Sequence, residues 1–191
     1  MLVCITGKIG SGKTYVLNEI KKLGYATFNV DKYVHSIYKK GKIGYKIIKD
    51  HFGLTYVNEC EVDRKKLGQL VFSDVNSLDR LNSLMLPIIH AKLEEFKYQK
   101  SIVFAELAIY LDHQVFFKSL FSMICVIIGN AKKSKEKIIK KQWFLSDENQ
   151  EKLLNSDDNK NNAFYFKNDY SKITAKKIAK NIINFVKKIK K

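Results

Sequence analysis

The sequence predicts an α/β fold in which a five-stranded parallel sheet is flanked by helices. Short apolar runs alternate with segments of helical periodicity along the 191 residues. This alternation is typical of βαβ units, whose right-handed crossovers cover both faces of a parallel sheet. The 46% content of hydrophobic residues is enough for one sizeable core, so we expect a single domain over residues 1–191.

The first apolar run, residues 2–5, precedes a glycine-rich stretch from Gly7 to Thr14 that reads G-x-x-x-x-G-K-T. This pattern is typical of phosphate-binding loops that connect a strand to a helix. Glycines are required there because backbone N–H groups close around phosphates and a Cβ would block their approach. Apolar residues recur at helical spacing after the loop until Gly24, so the sequence predicts the required strand, loop and helix.

The side chains of this loop predict how a nucleotide would be held. Lys13 would reach the β- and γ-phosphates, and the hydroxyl of Thr14 would bind Mg²⁺. The helix that begins here would point the positive end of its dipole at the anion. The candidate ATP-binding residues are Gly7, Gly10, Ser11, Gly12, Lys13, Thr14 and Tyr15. A glycine-rich turn without a ligand is the alternative interpretation.

A second strand is predicted over residues 25–30, directly after Gly24. It would bring Asp31 to the carboxyl edge of the sheet, where α/β folds bind their ligands. Asp31 is also well placed to cap the helix that is predicted to follow the strand. Its position alone therefore leaves a catalytic role and a structural role open.

Residues 35–97 have helical periodicity and form a predicted excursion from the sheet. One helix is expected over residues 42–52, and it is followed by a loop-like stretch over residues 54–62. Asp63 is predicted to cap the next helix, because its side chain can accept a hydrogen bond from the first turn. Pro87, the single proline, is expected in the first turn of a separate helix, where its missing N–H is tolerated.

The chain is predicted to return to the sheet with a third strand over residues 101–105. Glu106 follows this run directly. The arrangement is similar to that of phosphate-loop enzymes, in which a strand ends in a carboxylate that binds Mg²⁺. Further strands are expected over residues 120–128 and 163–166. An amphipathic helix with lysines on its polar face is expected over residues 178–189.

The net charge of +16 does not by itself assign a function. All but two of the 35 basic residues are lysines, the exceptions being Arg64 and Arg80. Lysine is a compact point charge that is readily accommodated on solvated surfaces, so we do not expect a dedicated nucleic-acid surface. The two arginines are therefore the more informative cations.

Cysteine content and hydropathy restrict the cellular setting. Cys4, Cys60 and Cys125 lack metal-ligand spacing to one another or to a histidine, and we expect buried free thiols. The sequence lacks an apolar run of about eighteen residues, which a membrane span requires. Its first residues enter a strand instead of a signal sequence, so we expect a cytoplasmic protein without a membrane partner.

Several short motifs occur in an order and spacing that point to one enzyme family. The phosphate loop is followed by Asp31 and His35, the triplet His51-Phe52-Gly53, the pair Asp63-Arg64 and the segment L-N-S-L-M-L-P-I-I that begins at Leu81. Together these features resemble the dephospho-CoA kinase family, most closely over residues 2–130. The loop alone is shared by very many enzymes, whereas the combination is far more selective.

The resemblance implies transfer of the γ-phosphoryl group of ATP to the ribose 3′-hydroxyl of dephospho-CoA, the last step of coenzyme A synthesis. It implies a P-loop kinase fold of the nucleoside monophosphate kinase type. It also implies that the enzyme uses ATP and Mg²⁺. The implied architecture has a core of residues 1–34, 98–131 and 159–191, a helical coenzyme-binding region of residues 35–97 and a small helical lid of residues 132–158. A monomer or weak oligomer is expected.

The resemblance also implies roles for individual side chains. Asp31 matches the carboxylate that contacts the acceptor hydroxyl and, with Lys13, is a candidate catalytic residue. Thr14 and Glu106 are the candidate metal ligands. The candidate substrate contacts are Asp31, His35, Arg64 and Glu106. The lid segment contains no arginine, so the candidates to replace the family's phosphate-clamping arginines are Lys137, Lys140 and Lys141.

The sequence departs from the family pattern at Lys8, where glycine is usual, and at Asn29, where an aspartate is common. Leu86 stands where a histidine precedes the proline, and Ala108 stands where proline is usual. Two other classes of function stay open. One is another small P-loop kinase that acts on a nucleoside or nucleotide. The other is a basic P-loop NTPase that binds nucleic acid, whose binding would weaken steeply with salt.

Overall fold

The computed structural model describes residues 1–129 and 163–189, and in this part of the chain five parallel strands form one sheet. The strands are Leu2–Thr6 (β1), Ala26–Asn29 (β2), Val103–Glu106 (β3), Met123–Gly129 (β4) and Ala163–Asn168 (β5). Their order across the sheet is β2-β3-β1-β4-β5, so β1 is the central strand. The predicted α/β class and five-stranded parallel sheet are confirmed.

The strands at the centre of the sheet are apolar because both of their faces are covered. All residues of β1 and β3 are buried, as are the residues of β4 from Met123 to Ile127. Parallel strands that are buried on both faces have continuous apolar sequences instead of alternating ones. This rule explains why the apolar runs 2–5 and 101–105 indicated strands, which the structure places at Leu2–Thr6 and Val103–Glu106.

Helices follow the strands along the chain. In chain order they are Lys13–Lys22 (α1), Val30–Ile37 (α2), Ile43–Phe52 (α3), Arg64–Ser73 (α4), Val75–Lys97 (α5), Gln114–Phe117 (α6) and Lys172–Ile189 (α7). α1 and α7 pack against the same core cluster, to which Ile20 and Ile182 contribute with no exposed surface. Val3 and Ile5 of β1 belong to this cluster, so the two helices anchor the strand that leads into the phosphate loop.

The chain divides into two compact units. The sheet unit comprises Met1–Asn29 and Glu94–Lys191, and the helical unit comprises Val30–Leu93. The helical unit has its own apolar core, in which Ile48 is fully buried and Leu67 is nearly so. Asp63 caps α4 as predicted, because its carboxylate accepts a hydrogen bond of 3.1 Å from the backbone N–H of Lys66.

Pro87 lies inside α5, so the prediction that it begins a separate helix is wrong. A proline in a helix interior removes one backbone hydrogen bond and crowds the preceding turn, a penalty of about 3 kcal/mol. Met85, Leu86 and Ile89 are nevertheless buried on both sides of the proline. Burial of such a side chain stabilises by about 1.5–3 kcal/mol, so the packing outweighs the local penalty and the helix continues.

β2 ends at Asn29, one residue earlier than predicted, and Val30 begins α2. Asp31 therefore lies in the first turn of a helix, where its side chain is exposed. A carboxylate at this position is favourable because the positive end of the helix dipole lies there. Asp31 therefore lies inside the helix and does not precede it, which corrects the predicted capping position; the structural role left to it is this interaction with the helix dipole.

The cysteines differ in their surroundings. Cys4 and Cys125 are buried free thiols as predicted, and burial raises the pKa of both thiols, which makes them unreactive. Cys60 is exposed, which corrects the prediction for this residue. It lies in a polar turn, where its backbone N–H donates to the side chain of Asn58 at 2.8 Å. None of the helices in residues 1–129 and 163–189 is long and apolar enough to cross a membrane.

Candidate active site

The phosphate loop occupies the turn between β1 and α1. Gly7, Gly10 and Gly12 have positive φ angles of 139°, 78° and 93°, which side chains with a Cβ rarely adopt. A Cβ on Gly7 would also collide with the backbone carbonyl of Ile127 in β4. The glycines are therefore required both by the path of the loop and by its close contact with the neighbouring strand.

Lys13 is held against the loop by its own backbone. Its side chain is 6% exposed, and Nζ donates hydrogen bonds to the carbonyl oxygens of Gly7 at 2.8 Å and Lys8 at 2.9 Å. The ammonium group therefore lies at the mouth of the turn, close to the N-terminus of α1. Positive charge and backbone N–H groups at one helix N-terminus make a suitable site for an anion.

Thr14 and Glu106 meet at the carboxyl ends of β1 and β3. The Thr14 hydroxyl donates to Glu106 Oε1 at 2.7 Å, and the amide of Asn29 donates to Glu106 Oε2 at 2.6 Å. Glu106 is 4% exposed, so both carboxylate oxygens are oriented inside the protein by neutral donors. Sequence reasoning identified Thr14 and Glu106 but treated Asn29 only as a departure from the family pattern.

A contact that the sequence did not predict holds the other side of the loop. Asn168 at the end of β5 is 4% exposed, and its Nδ2 donates to the carbonyl oxygen of Ser11 at 2.8 Å. A Cβ on Gly12 would collide with the same amide group, so loop and β5 are in direct contact. Tyr170 follows, with its backbone N–H bonded to Asn168 Oδ1 at 3.0 Å. These two residues have no recognisable motif in the sequence.

Two buried hydroxyls in the loop region have no hydrogen-bond partner among the described residues: those of Thr6 and Ser11. Thr6 is the last residue of β1, and Ser11 lies inside the loop. Unpaired buried hydroxyls are unusual, because desolvation without a compensating hydrogen bond is unfavourable. They show that the loop has unused hydrogen-bonding capacity.

A groove of about 700 Å³ lies beside the loop, at the carboxyl ends of β4 and β5. Gly129 and Asn168 line the groove and also contact the loop, because a Cβ on Gly129 would come within 2.9 Å of Ser11 Cα. The remaining lining combines polar and apolar groups, including Tyr165, Phe166, Asp169, Thr174 and Lys177. Pockets of this size and mixed lining are typical of small-molecule sites.

The helical unit brings together two of the residues predicted to contact substrate. Arg64 Nη1 lies 3.0 Å from His35 Nε2 and 3.2 Å from Nδ1, so the guanidinium is close to both ring nitrogens. Partial burial, and to a lesser extent the charge of Arg64, lowers the pKa of His35, whereas Asp31 and Glu61 act in the opposite direction. Both side chains are exposed to solvent, so an anion can reach them.

The other predicted site residues are either exposed on helices or lie outside the described residues. Tyr15 is 47% exposed on α1, next to the loop. Asp31 is exposed in α2 of the helical unit. The proposed lid, residues 132–158, lies outside the described residues, and so do Lys137, Lys140 and Lys141. In the described part of the chain, no group of three or more histidine, cysteine and acidic side chains forms a metal cluster.

Comparison with known proteins adds to this geometry. The family model for dephospho-CoA kinase matches residues 1–168. A dephospho-CoA kinase of Mycoplasma genitalium is 38% identical over 127 residues, which are 65% of this chain and 64% of that protein. The matched part thus spans slightly less than two thirds of the relative's length.

Solved structures show the same fold at lower identity. The protein TT1252 from Thermus thermophilus has a TM-score of 0.70 at 20% identity, with 96% of this chain and 95% of that chain covered. Dephospho-CoA kinase from Campylobacter jejuni has a TM-score of 0.65 at 21% identity, with coverage of 100% and 98%. The family match includes the phosphate loop, Glu106 and both arginines. The chain therefore belongs to the dephospho-CoA kinase family.

Proposed function

We propose that the protein transfers the γ-phosphoryl group of ATP to the ribose 3′-hydroxyl of dephospho-CoA, which yields CoA and ADP. The observation that carries this proposal is a fully formed phosphate loop, with Lys13 and the Thr14–Glu106 pair in place, in a chain of this family. Phosphoryl transfer depends mainly on positioning and charge neutralisation, and these residues supply both.

The loop would hold the phosphates of ATP. Its backbone N–H groups and the dipole of α1 would bind the phosphate oxygens, and Lys13 would exchange its carbonyl partners for the β- and γ-phosphates. The groove of about 700 Å³ offers room for the nucleoside of ATP. It lies next to the phosphates' proposed position, because two of its lining residues, Gly129 and Asn168, also contact the loop. Tyr15, exposed at the start of α1, is a candidate contact for the same nucleotide.

The oxygen atoms of Thr14 and Glu106 fit Mg²⁺. This ion prefers hard oxygen ligands and usually keeps waters and substrate phosphates in its shell, so a site needs only one or two protein groups. The 2.7 Å hydrogen bond between Thr14 and Glu106 brings two such groups together beside the loop. When bound, Mg²⁺ supplies charge neutralisation at the phosphates. Asn29 would keep the carboxylate of Glu106 in its orientation.

The acceptor would be held by residues of the helical unit. Asp31 would orient the 3′-hydroxyl and accept its proton as the new O–P bond forms and the bond between the γ-phosphorus and the bridging oxygen breaks. Arg64 and His35, which lie 3.0 Å apart, would bind an anionic group of dephospho-CoA. The charge of the acceptor suits this pair, since a guanidinium binds phosphate through two parallel hydrogen bonds.

Lys137, Lys140 and Lys141 are proposed to supply positive charge to the transferring phosphoryl group. As point charges they would neutralise it without the fork geometry of arginine. We further propose that the enzyme acts in the cytoplasm as a monomer or weak oligomer.

An ADP-release assay over a panel of acceptors tests the proposed function. Purified protein is supplied with Mg²⁺-ATP and, in separate reactions, dephospho-CoA, common nucleosides and nucleoside monophosphates. We expect ADP release to depend on dephospho-CoA. Turnover on a nucleoside without turnover on dephospho-CoA would instead establish the other kinase class. ATP hydrolysis that responds only to nucleic acid would establish the NTPase class.

A further inference from the structure

Tyr170 has a backbone conformation that a tyrosine rarely adopts. Its φ angle is 69°, and in the described residues it is the only non-glycine residue with a positive φ. A left-handed conformation brings the Cβ close to the backbone and is strained for a bulky side chain. Such strain persists only where the surrounding structure compensates for it, and it is concentrated at functional sites. Glycine or asparagine would form the same turn more easily.

The contacts of Tyr170 show what compensates for the strain. Cδ1 of its ring lies 3.9 Å from the position that a Cβ on Gly12 would occupy. At Gly129 an added Cβ would collide with the tyrosine hydroxyl and would come within 3.0 Å of Cζ. The ring therefore lies against two glycines, one in the phosphate loop and one that lines the neighbouring groove.

The same turn is bonded to the loop from a second direction. Asn168 accepts the backbone N–H of Tyr170 at Oδ1 and donates from Nδ2 to the carbonyl oxygen of Ser11. One buried amide thus ties the strained residue to the peptide that precedes Gly12. The ring lies beside Gly12, and the amide holds the carbonyl that precedes it, so both groups border the Ser11–Gly12 peptide.

We propose that Tyr170 is a positioning residue for the phosphate loop: its ring, held in a strained turn by Asn168, keeps the backbone N–H groups around Gly12 aimed at bound phosphate. The proposal rests on the proposed binding of ATP by this loop. Tyr170 lies two residues beyond the family match, which ends at residue 168, so the family pattern does not assign it. The contact of the ring with the loop explains why a tyrosine occupies position 170, although glycine or asparagine would suit the turn better.

Two substitutions distinguish the contribution of the tyrosine ring from that of the strained backbone. Tyr170→Gly removes the ring and relieves the strain, whereas Tyr170→Phe keeps the ring and its contact with Gly12. Calorimetry would measure the affinity of each protein for ATP and for inorganic tripolyphosphate, with circular dichroism to measure the melting temperature. Tripolyphosphate is the informative probe because it occupies the loop without a nucleoside.

For Tyr170→Gly we expect both ATP and tripolyphosphate to bind about tenfold more weakly, the effect of losing one or two well-aimed hydrogen bonds. The melting temperature is expected to stay within about 3 °C, because relief of strain offsets the lost packing. Tyr170→Phe should bind both ligands within about twofold of the unchanged protein, as expected where no charged contact is lost. The KM for the acceptor should not change with either substitution.

Two results would overturn the proposal. Unchanged affinity of Tyr170→Gly for both ligands would show that the ring does not position the loop. Weaker binding of ATP alone would show that the ring contacts the nucleoside and not the loop. If Tyr170→Gly does not fold, Tyr170→Asn, which also tolerates a positive φ, answers the same question. Failure of the unchanged protein to bind either ligand would refute the proposed function itself, which separates the two tests.

Discussion

The sheet unit and the helical unit present positive charge in different ways. In the sheet unit, Lys13 is buried, with its ammonium group bonded to backbone carbonyls of the loop. In the helical unit, Arg64 is exposed and lies beside His35. Both arginines of the chain, Arg64 and Arg80, belong to the helical unit. The two regions therefore suit different kinds of anion binding.

This difference shows which functions tolerate a lysine-rich composition. The phosphate loop binds mainly through backbone N–H groups, so it needs one point charge and the right glycines. A surface site for an anionic group has no such backbone arrangement and benefits from the planar fork of arginine. We infer that the sheet unit serves ATP and the helical unit serves the acceptor, and the following substitutions test that division.

The largest effect is expected from Lys13→Ala. Loss of the buried ammonium would remove the proposed charge partner of the β- and γ-phosphates, and kcat/KM should fall by at least about 10³-fold. Initial rates with both substrates varied would measure it. Lys21→Ala, an exposed lysine of the same helix, is the matched control and should change the rate less than about twofold. Comparable losses in both variants would refute a specific role for Lys13.

Asp31→Ala is expected to have the next largest effect. Removal of the carboxylate that is proposed to orient the acceptor hydroxyl should lower kcat by about 10²-fold, in the range of general acid–base contributions. The affinity for ATP, measured by calorimetry, should not change. Asp50 is an exposed carboxylate of the same unit, so Asp50→Ala is the control and should leave kcat unchanged. An active Asp31→Ala enzyme would leave Asp31 only its structural role at the start of α2.

Thr14→Val tests the proposed Mg²⁺ ligands of the sheet unit, Thr14 and Glu106. The substitution keeps the shape of the side chain but removes the hydroxyl that bonds Glu106 at 2.7 Å. The Mg²⁺ concentration for half-maximal activity should rise at least about tenfold, as is typical when a group that supports a metal site is lost. Titration of activity with Mg²⁺ at saturating ATP measures this. Thr14→Ser retains the hydroxyl and should behave as the unchanged protein; an identical shift in both would contradict the assignment.

Arg64→Lys tests the helical unit with charge held constant. Loss of the guanidinium fork should raise the KM for dephospho-CoA about fivefold, equivalent to about 1 kcal/mol, and leave the KM for ATP unchanged. Arg80→Lys is the matched control in the same unit. Arg80 lies over the ring of Phe52 at 5.7 Å, so its replacement should affect only stability, and weakly. A rise in the KM for ATP with Arg64→Lys would break the proposed division between the units.

The smallest effect is expected from pH at His35. Partial burial and Arg64 lower its pKa in the free protein, while Asp31 and Glu61 oppose the shift. A bound anion would favour the charged ring, so acceptor binding should take up a proton and strengthen as the pH falls from about 8 to about 6. The KM for dephospho-CoA should decrease about twofold over that range. His35→Gln should make the profile flat, and an unchanged profile would exclude His35 from the site.

The lowered pKa has an opposite consequence for stability. The unfolded chain takes up the proton on His35 at a higher pH than the folded chain does, so stability decreases as the pH falls through the ordinary histidine range. The ring is largely exposed, so we expect this contribution to be small. We therefore expect acid to favour the proposed acceptor binding slightly while it opposes folding.

The parts of the molecule that local sequence determines were predicted correctly. β1, the loop and α1 follow from apolar runs, glycine spacing and helical periodicity, each of which acts over a few residues. Pro87 was placed wrongly because its local preference is for a helix start, whereas burial of Met85 and Ile89 keeps the helix continuous. The sequence pattern shows the local preference of proline for the first turn of a helix. It does not show the packing energy that opposes this preference.

The residues that were missed depend on contacts between distant parts of the chain. Asn168 and Ser11 are 157 residues apart, and Asn29 and Glu106 are 77 residues apart. Asn168 has no motif, and Asn29 departs from the family pattern; each bonds its partner through one side-chain amide at the end of a strand. The strand order brings Asn168 to the loop and Asn29 to Glu106, so only the fold reveals these two contacts. The positive φ of Tyr170 likewise has no sequence signal, because tyrosine does not favour it.

The most direct test of the proposed function is the chemical identity of the product. The protein would be incubated with Mg²⁺-ATP and dephospho-CoA, and the product analysed by ³¹P nuclear magnetic resonance and mass spectrometry. A new phosphate monoester on the ribose 3′-oxygen, formed in equal amount to ADP and absent with Lys13→Ala, is the predicted result. An unmodified acceptor, or a phosphoryl group at any other position, would contradict the proposal.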